Sequence, residues 1–165
     1  MTNQDFIHCD DNNTYLTLHD CIAEKVYLQD GVLVFEFNDG FWIGPEHPDN
    51  PYNECLRTDA SRVEFVLENG EEYDVFAWLH VQENPKSRKK TVRNWEIAQL
   101  IKNVNSGKCA FEFWDEYLNR HVPEERLIGG QLRGKGKLGF CQCWLRIYAT
   151  KINYCWNNVL PDRPW

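Results

Sequence analysis

The stretch Cys21-Ile22-Ala23-Glu24-Lys25-Val26-Tyr27-Leu28-Gln29-Asp30-Gly31-Val32-Leu33-Val34-Phe35-Glu36-Phe37 decides the fold class. Asp30-Gly31 can take the positive φ angles of a two-residue hairpin turn, and the runs on either side are rich in strand-forming residues. In the second run Leu33, Phe35 and Phe37 fall on one face by period-two alternation, as a strand with one buried face requires. Two further turn pairs follow, Asp39-Gly40 and Asn69-Gly70. Asp39-Gly40 leads into Phe41-Trp42-Ile43, which predicts a three-stranded meander over residues 21–43. Asn69-Gly70 predicts a second hairpin between residues 63–67 and 73–81. In its second strand Tyr73, Val75, Ala77, Leu79 and Val81 alternate with Asp74, Phe76, Trp78 and His80, so apolar groups stand on both faces. Such a strand is expected to be central and covered on both sides.

Residues 44–60 contain Pro45, Pro48 and Pro51, which oppose helix and ladder alike, and are expected to form one long exposed Pro-rich loop. A single main helix is expected at about residues 95–105, with Asn94 as N-cap, an apolar stripe of Ile97, Leu100, Ile101 and Val104, and Gly107 as the left-handed stop. Residues 109–118 follow as a strand with Phe111 and Phe113 on one face, a helical turn from Trp114 being the alternative. Residues 140–148 and 152–156 are expected to close the fold as a hairpin around Ala149-Thr150-Lys151. With no internal repeat or composition break, the chain reads as a single domain over residues 1–165. Its class is α+β: a twisted antiparallel β-sheet of about seven or eight strands with one main helix packed on it.

The chain has 165 residues, 42% of them hydrophobic, with nine Phe, seven Tyr and seven Trp. That apolar content excludes a disordered chain. No apolar run approaches the ~18 to 20 residues of a bilayer span, and the polar start has neither part of a signal peptide, so a soluble, cytoplasmic protein without membrane contact is expected. Residues 1–83 hold 3 basic and 18 acidic side chains, and residues 84–165 hold 15 basic and 7 acidic. Either the halves interleave and cancel, or the acids gather on one face. Such a face would repel nucleic acid and anionic lipid and attract a basic protein. The residues offered for it are Asp49, Glu54, Asp59, Glu71, Glu72 and Asp74, with Trp42 and Tyr52 as aromatic anchors.

Catalytic signatures are absent: no nucleophile elbow, zinc-protease helix, phosphate-binding loop or facing carboxylate pair occurs. His19 and Cys21 would share a face of an extended strand and could form a thiolate–imidazole pair or bind a metal, which is the route to an enzyme reading. Cys141 and Cys143 offer a second such pair, with Cys155 joining them in one register of the final hairpin. The seven cysteines lack the spacing of a disulfide scaffold or a zinc knuckle, so buried, reduced thiols without metal or cofactor are expected. Arg133-Gly134-Lys135-Gly136-Lys137-Leu138-Gly139 reads as a solvated hairpin tip. The run Pro85-Lys86-Ser87-Arg88-Lys89-Lys90 reads as a charged linker, because no aromatic residues are interleaved with it to favour nucleic acid.

Leu18-His19-Asp20-Cys21-Ile22, then residues 33–37, then Asp39-Gly40-Phe41-Trp42-Ile43 together resemble the opening of small bacterial proteins, some of them immunity proteins of polymorphic toxin or contact-dependent inhibition systems. The resemblance is one of hairpin chemistry and does not reach residues 84–165. It implies a non-enzymatic cytoplasmic protein that binds and blocks one cognate toxin. The expected function is therefore a protein-binding module whose acidic surface takes a basic partner.

Overall fold

The structure, a computed structural model, describes residues 6–11, 13–81, 91–118, 121–134 and 139–165. The chain begins with β1 (His8–Asp10), β2 (Leu16–Thr17), β3 (Ile22–Ala23), β4 (Lys25–Gln29), β5 (Val32–Phe37) and β6 (Trp42–Ile43). It continues through β7 (Leu56–Thr58), β8 (Ser61–Leu67), a 3-10 turn at Glu72–Asp74, β9 (Val75–Val81) and β10 (Thr91–Trp95). After the helix α1 (Ile97–Asn105) come β11 (Cys109–Leu118), β12 (Glu125–Gly134), β13 (Phe140–Trp156) and β14 (Val159–Pro164). The α+β class and antiparallel pairing are as expected, but the strands form a ten-stranded sheet and a separate four-stranded sheet, more than the seven or eight anticipated.

The centre of the larger sheet is β13, a single strand of 17 residues. Its first part pairs with β12 and β9, and its last part with β8 and β1. The expected closing hairpin does not form. Ala149-Thr150-Lys151 contains no residue suited to positive φ, and a register shift between Ala149 and Lys151 absorbs the irregularity as a bulge. Strand order from β11 to β5 is β11-β12-β13-β8-β5. At roughly 4.8 Å per strand a flat sheet would separate the outer two by about 19 Å. Yet the Phe35 ring on β5 meets Phe113 on β11 edge to face at 5.2 Å. The sheet must therefore curl until its inner faces touch, and the core fills that fold with Phe35, Phe37, Phe65, Phe111, Leu33, Leu79 and Leu145.

Helix α1 lays Ile97, Leu100 and Val104 into the core, as its stripe predicted. Its cap differs: Asn94 lies in β10, paired with Trp78, and Glu96 is the N-cap, exchanging bonds with Gln99 in a capping box. At the other end Asn105 accepts from the Val26 N–H at 2.9 Å and donates to the Val26 carbonyl at 2.7 Å, so a side-chain amide serves β4 as a neighbouring strand would.

Of the expected turns, Asp30-Gly31 closes a hairpin, with Gln29 opposite Val32. Asp39-Gly40 does not complete a meander: β6 pairs with β2 and β7 in the smaller sheet, ordered β14-β7-β6-β2. Gly40 takes φ 71° against β7, where a Cβ would lie 2.2 Å from the Thr58 carbonyl oxygen, and this contact steers the chain away from β5. Nor do β8 and β9 pair. They follow one another along β13, because residues 68–74 fold into a turn and the long strand offers ladder positions to both. Strand β9 is central as expected, between β10 and β13, but covered on one face only: Val75, Ala77 and Leu79 are buried while Phe76 is 48% exposed.

The Pro-rich segment is more ordered than an exposed loop. His47 and Asn50 are buried, and Asn50 Nδ2 donates to the carbonyls of Ile43, Gly44 and Glu54 at 3.0 to 3.2 Å, replacing ladder bonds the prolines cannot make. The expectation of wholly reduced thiols is also corrected, since Cys9 and Cys155 face each other on β1 and β13 and form a disulfide. Such bonds persist where the surroundings are not reducing. No helix among the described residues is long and apolar enough to cross a membrane. The run 85–90 and residues 135–138 lie outside the described residues; their flanks are ladder partners Val81 and Thr91, and Gly134 bonded to Gly139.

Candidate functional site

Two tight turns build the site. Asp30-Gly31 and Asn69-Gly70 touch: a Cβ on Gly31 would stand 3.0 Å from the Gly70 Cα, so only glycine permits the approach. The second turn is held by Asp74, buried and accepting from the Asn69 N–H at 2.8 Å, Asn69 Nδ2 at 2.7 Å and the Glu71 N–H at 3.3 Å. Burial pulls the Asp74 carboxyl upward, but these bonds and one from the Gly70 N–H outweigh it and hold the group below its ordinary range. The turns gather the exposed carboxylates Asp30, Glu68, Glu71 and Glu72. Glu68 N–H donates to the Tyr148 carbonyl and Ala149 N–H to that of Glu124, which brings a fifth acid to the same end of the sheet.

Beside these acids, between the 3-10 turn and the first residues of α1, runs a groove of about 590 Å³. Tyr73, Val75, Phe76, Trp95 and Ile97 supply its apolar lining, Glu72 and Glu96 its charge, and no Lys or Arg lines it among the described residues. Tyr73 is 62% exposed. Exposed aromatic rings next to uncompensated carboxylates suit a partner that carries both apolar and cationic groups. A second groove of about 590 Å³ lies over β4, β5 and β8, but its charges satisfy each other, Lys25 with Glu36 at 2.9 Å and Arg62 with Glu64 at 2.7 Å.

The eight residues offered from sequence divide. Glu71 and Glu72 lie at the acidic end, and Asp74 beneath them is a structural anchor. Asp59 is likewise committed, accepting from the N–H groups of Asn157 and Asn158 at 3.2 and 3.1 Å. Trp42 is half-buried, with the Arg57 guanidinium 4.2 Å from its ring centroid and Trp165 packed at 4.8 Å. Asp49, Tyr52 and Glu54 are exposed on the Pro-rich segment, Asp49 paired with His8 at 3.3 Å. The sequence carries no signal for Tyr73, Phe76 and Trp95 as site residues: alternation along residues 73–81 places the first two on faces without saying which stays open, and Trp95 reads as the start of the helix although it ends β10.

The two thiol candidates are poorly placed for nucleophilic chemistry. Residues 18–21 form a turn closed by the Cys21 N–H on the Leu18 carbonyl, with Asp20 at φ 57°, and are not an extended strand. Cys21 is fully buried, and burial pushes its thiol up to about 12 against the opposing pull of Arg57, so it holds its proton at neutral pH. His19 is fixed by Nδ1 on the Trp114 carbonyl at 2.6 Å and by stacking on Trp165. Cys141 and Cys143 are buried with Cys109, and burial raises all three thiols, Cys109 to about 11. Cys155 lies further along the same strand and is bonded to Cys9. The described metal-type cluster, Cys9, Glu64 and Cys155, is occupied by that disulfide and by the Arg62–Glu64 pair.

No family model, curated protein or solved structure matches this chain.

Proposed function

We propose that the protein is a non-catalytic binding module of immunity or inhibitor type that takes a basic protein partner at the acidic end and its aromatic groove. The observation that carries this reading is the contact between the Asp30-Gly31 and Asn69-Gly70 turns, which sets Asp30, Glu68, Glu71 and Glu72 beside exposed Tyr73 and Phe76. The carboxylates speed encounter by long-range attraction, and the rings supply desolvated contact once docked. Asp49, Tyr52 and Glu54 form a separate exposed group, and Trp42 is already covered by Arg57 and Trp165, which leaves it no open ring face for a partner.

Affinity capture from the native host tests the proposal, with wild type and a Glu71→Lys/Glu72→Lys/Tyr73→Ala variant run in parallel. One protein of high isoelectric point should be retained by wild type at low salt, weakened at ~0.5 M salt, where screening shortens the field to a few ångströms, and lost by the variant. Equal retention by both, or a partner indifferent to salt, would refute the site.

A further inference from the structure

Among the described residues, one group of three metal-binding side chains brings its ligand atoms together: Cys9, Glu64 and Cys155, each within 4.8 Å of the others. Strand register makes the group. Cys9 stands opposite Cys155 across β1 and β13, Cys155 opposite Arg62 across β13 and β8, and Glu64 opposite Asn153 two residues further along. Val63, Tyr154 and Trp156, which alternate with them, fill the core, so Cys155, Glu64 and Asn153 lie on the outer face of the sheet with Cys9 beside them.

A disulfide needs no carboxylate beside it, yet Glu64 is fixed there by two neighbours. Arg62 Nε lies 2.7 Å from its Oε1, and Asn153 Nδ2 donates to its Oε2 at 3.2 Å. An ionised carboxylate offers about four lone-pair positions, so some remain to meet a cation. Orienting a ligand from behind is what outer-shell groups do in metal sites. The charges match as well. Two thiolates and a carboxylate would bring three negative charges to a divalent ion, and the Arg62 guanidinium offsets the one left over. Cys9 is exposed, and Arg62 and Glu64 line the groove over β4, β5 and β8, so a reductant and an ion can both reach the group.

We propose that Cys9, Cys155 and Glu64 form a redox-gated zinc site. Oxidised, the two sulfurs are bonded to each other; reduced, they join Glu64 as three ligands of a tetrahedral zinc ion that takes water in its fourth position. A thiolate of a dithiol reductant attacks the exposed Cys9 sulfur, and the sulfur–sulfur bond breaks with its electron pair leaving on Cys155. The reductant's second thiol then displaces Cys9, so the dithiol ends as its own disulfide and the protein holds two reduced sulfurs. Zinc binding sends the protons they carry to solvent. Bonds of about 2.3 Å to sulfur and 2.0 to 2.2 Å to oxygen set tetrahedral ligands roughly 3.5 to 3.8 Å apart, a spacing that opposite and diagonal ladder neighbours reach by side-chain rotation. Two thiolates with one carboxylate suit zinc better than the hard cations calcium and magnesium. Either state fastens β1 to the end of β13, and the site is independent of the acidic groove.

Anaerobic titration of the full chain with cobalt(II), read by absorbance and followed by displacement with zinc, provides the test. Protein reduced by a dithiol and then freed of it should take up cobalt in equimolar amount, with thiolate-to-cobalt charge transfer and tetrahedral d–d bands that equimolar zinc abolishes. Oxidised protein should take up none. Cys9→Ser should lose the spectrum, and Glu64→Gln, which keeps both sulfurs, should weaken zinc binding by at least about 10-fold. Asn153→Ala, at a positioning residue, should weaken it by about 10- to 100-fold without changing the cobalt spectrum. Cys141→Ser should leave spectrum and affinity unchanged, which separates the site from the buried thiols of Cys109, Cys141 and Cys143. Zinc should also restore the Tm lost on reduction in wild type and not in Cys9→Ser. Glu64→Gln serves if Cys9→Ser fails to fold. Reduced wild type that binds no cobalt would overturn the proposal. So would equal binding by the oxidised protein, unchanged affinity in Cys9→Ser or Glu64→Gln, or loss of the spectrum in Cys141→Ser.

Discussion

Asp74 shows how one carboxylate can hold a binding surface without belonging to it. Its bonds to Asn69, Gly70 and Glu71 close the turn that presents Glu71, Glu72 and Tyr73. Asp74→Ala removes charge-assisted bonds that the buried carboxylate accepts from partly buried N–H groups, and urea denaturation should show a loss of about 1 to 3 kcal/mol. Because the folded carboxyl sits below its unfolded value, its contribution is fully present above about pH 4 and is lost as pH falls through the lower folded pKa. The stability gap between wild type and Asp74→Asn should therefore narrow in acid, and a gap independent of pH would argue against an ionised Asp74. The thiols give a second residue-level expectation. Five cysteines are free, and Cys21, Cys109, Cys141 and Cys143 are buried with raised pKa values. At pH 8 the native protein should react with a thiol reagent chiefly at Cys55, and the denatured, unreduced protein at five positions.

Among the elements, β4 depends on the helix as much as on β5. Asn105 satisfies both backbone groups of Val26 at the sheet edge. Asn105→Ala leaves those groups to water and should cost about 1 to 2 kcal/mol, with faster amide exchange at Val26 as the specific sign. An Asn105→Ala protein with unchanged Val26 protection would mean that β5 alone secures the strand. Strand β13 is the element that departs most from its sequence expectation. Local patterning reports strand on both sides of residues 149–151, and a break there is as consistent with a hairpin as with a bulge. Length decides between them in the structure, because β8 and β9 both need β13 as their partner.

Taken whole, the larger sheet gathers carboxylates at one end, around the touching Asp30-Gly31 and Asn69-Gly70 turns. The lopsided sequence charge leaves a formal net charge of −7, offset only locally where first-half acids meet second-half cations, as in Asp11–Lys151 and Asp39–Arg163, and partner encounter at the acidic end should weaken with salt. The Cys9–Cys155 bond ties residues 146 apart and fastens β1 to the end of β13. Reduction should destabilise the fold by about 2 to 5 kcal/mol, read as a lower Tm with five free thiols rising to seven. An unchanged Tm after verified reduction would show that the His47–Asp10 pair and the stacking of His8 on Trp156 hold β1 without it.

Legibility followed the range of the interactions involved. The Asp30-Gly31 hairpin, the stripe Ile97, Leu100 and Val104, the strand at residues 109–118 and the charge imbalance could all be read directly, since each rests on sterics or periodicity within a few residues. Pairing of β6 with β2 and β7, the shared use of β13, the disulfide and the open face of Phe76 could not. They depend on which distant segment arrives to cover a ladder edge or a sheet face, and a chain that alternates correctly on both faces carries no local mark of which one water will keep.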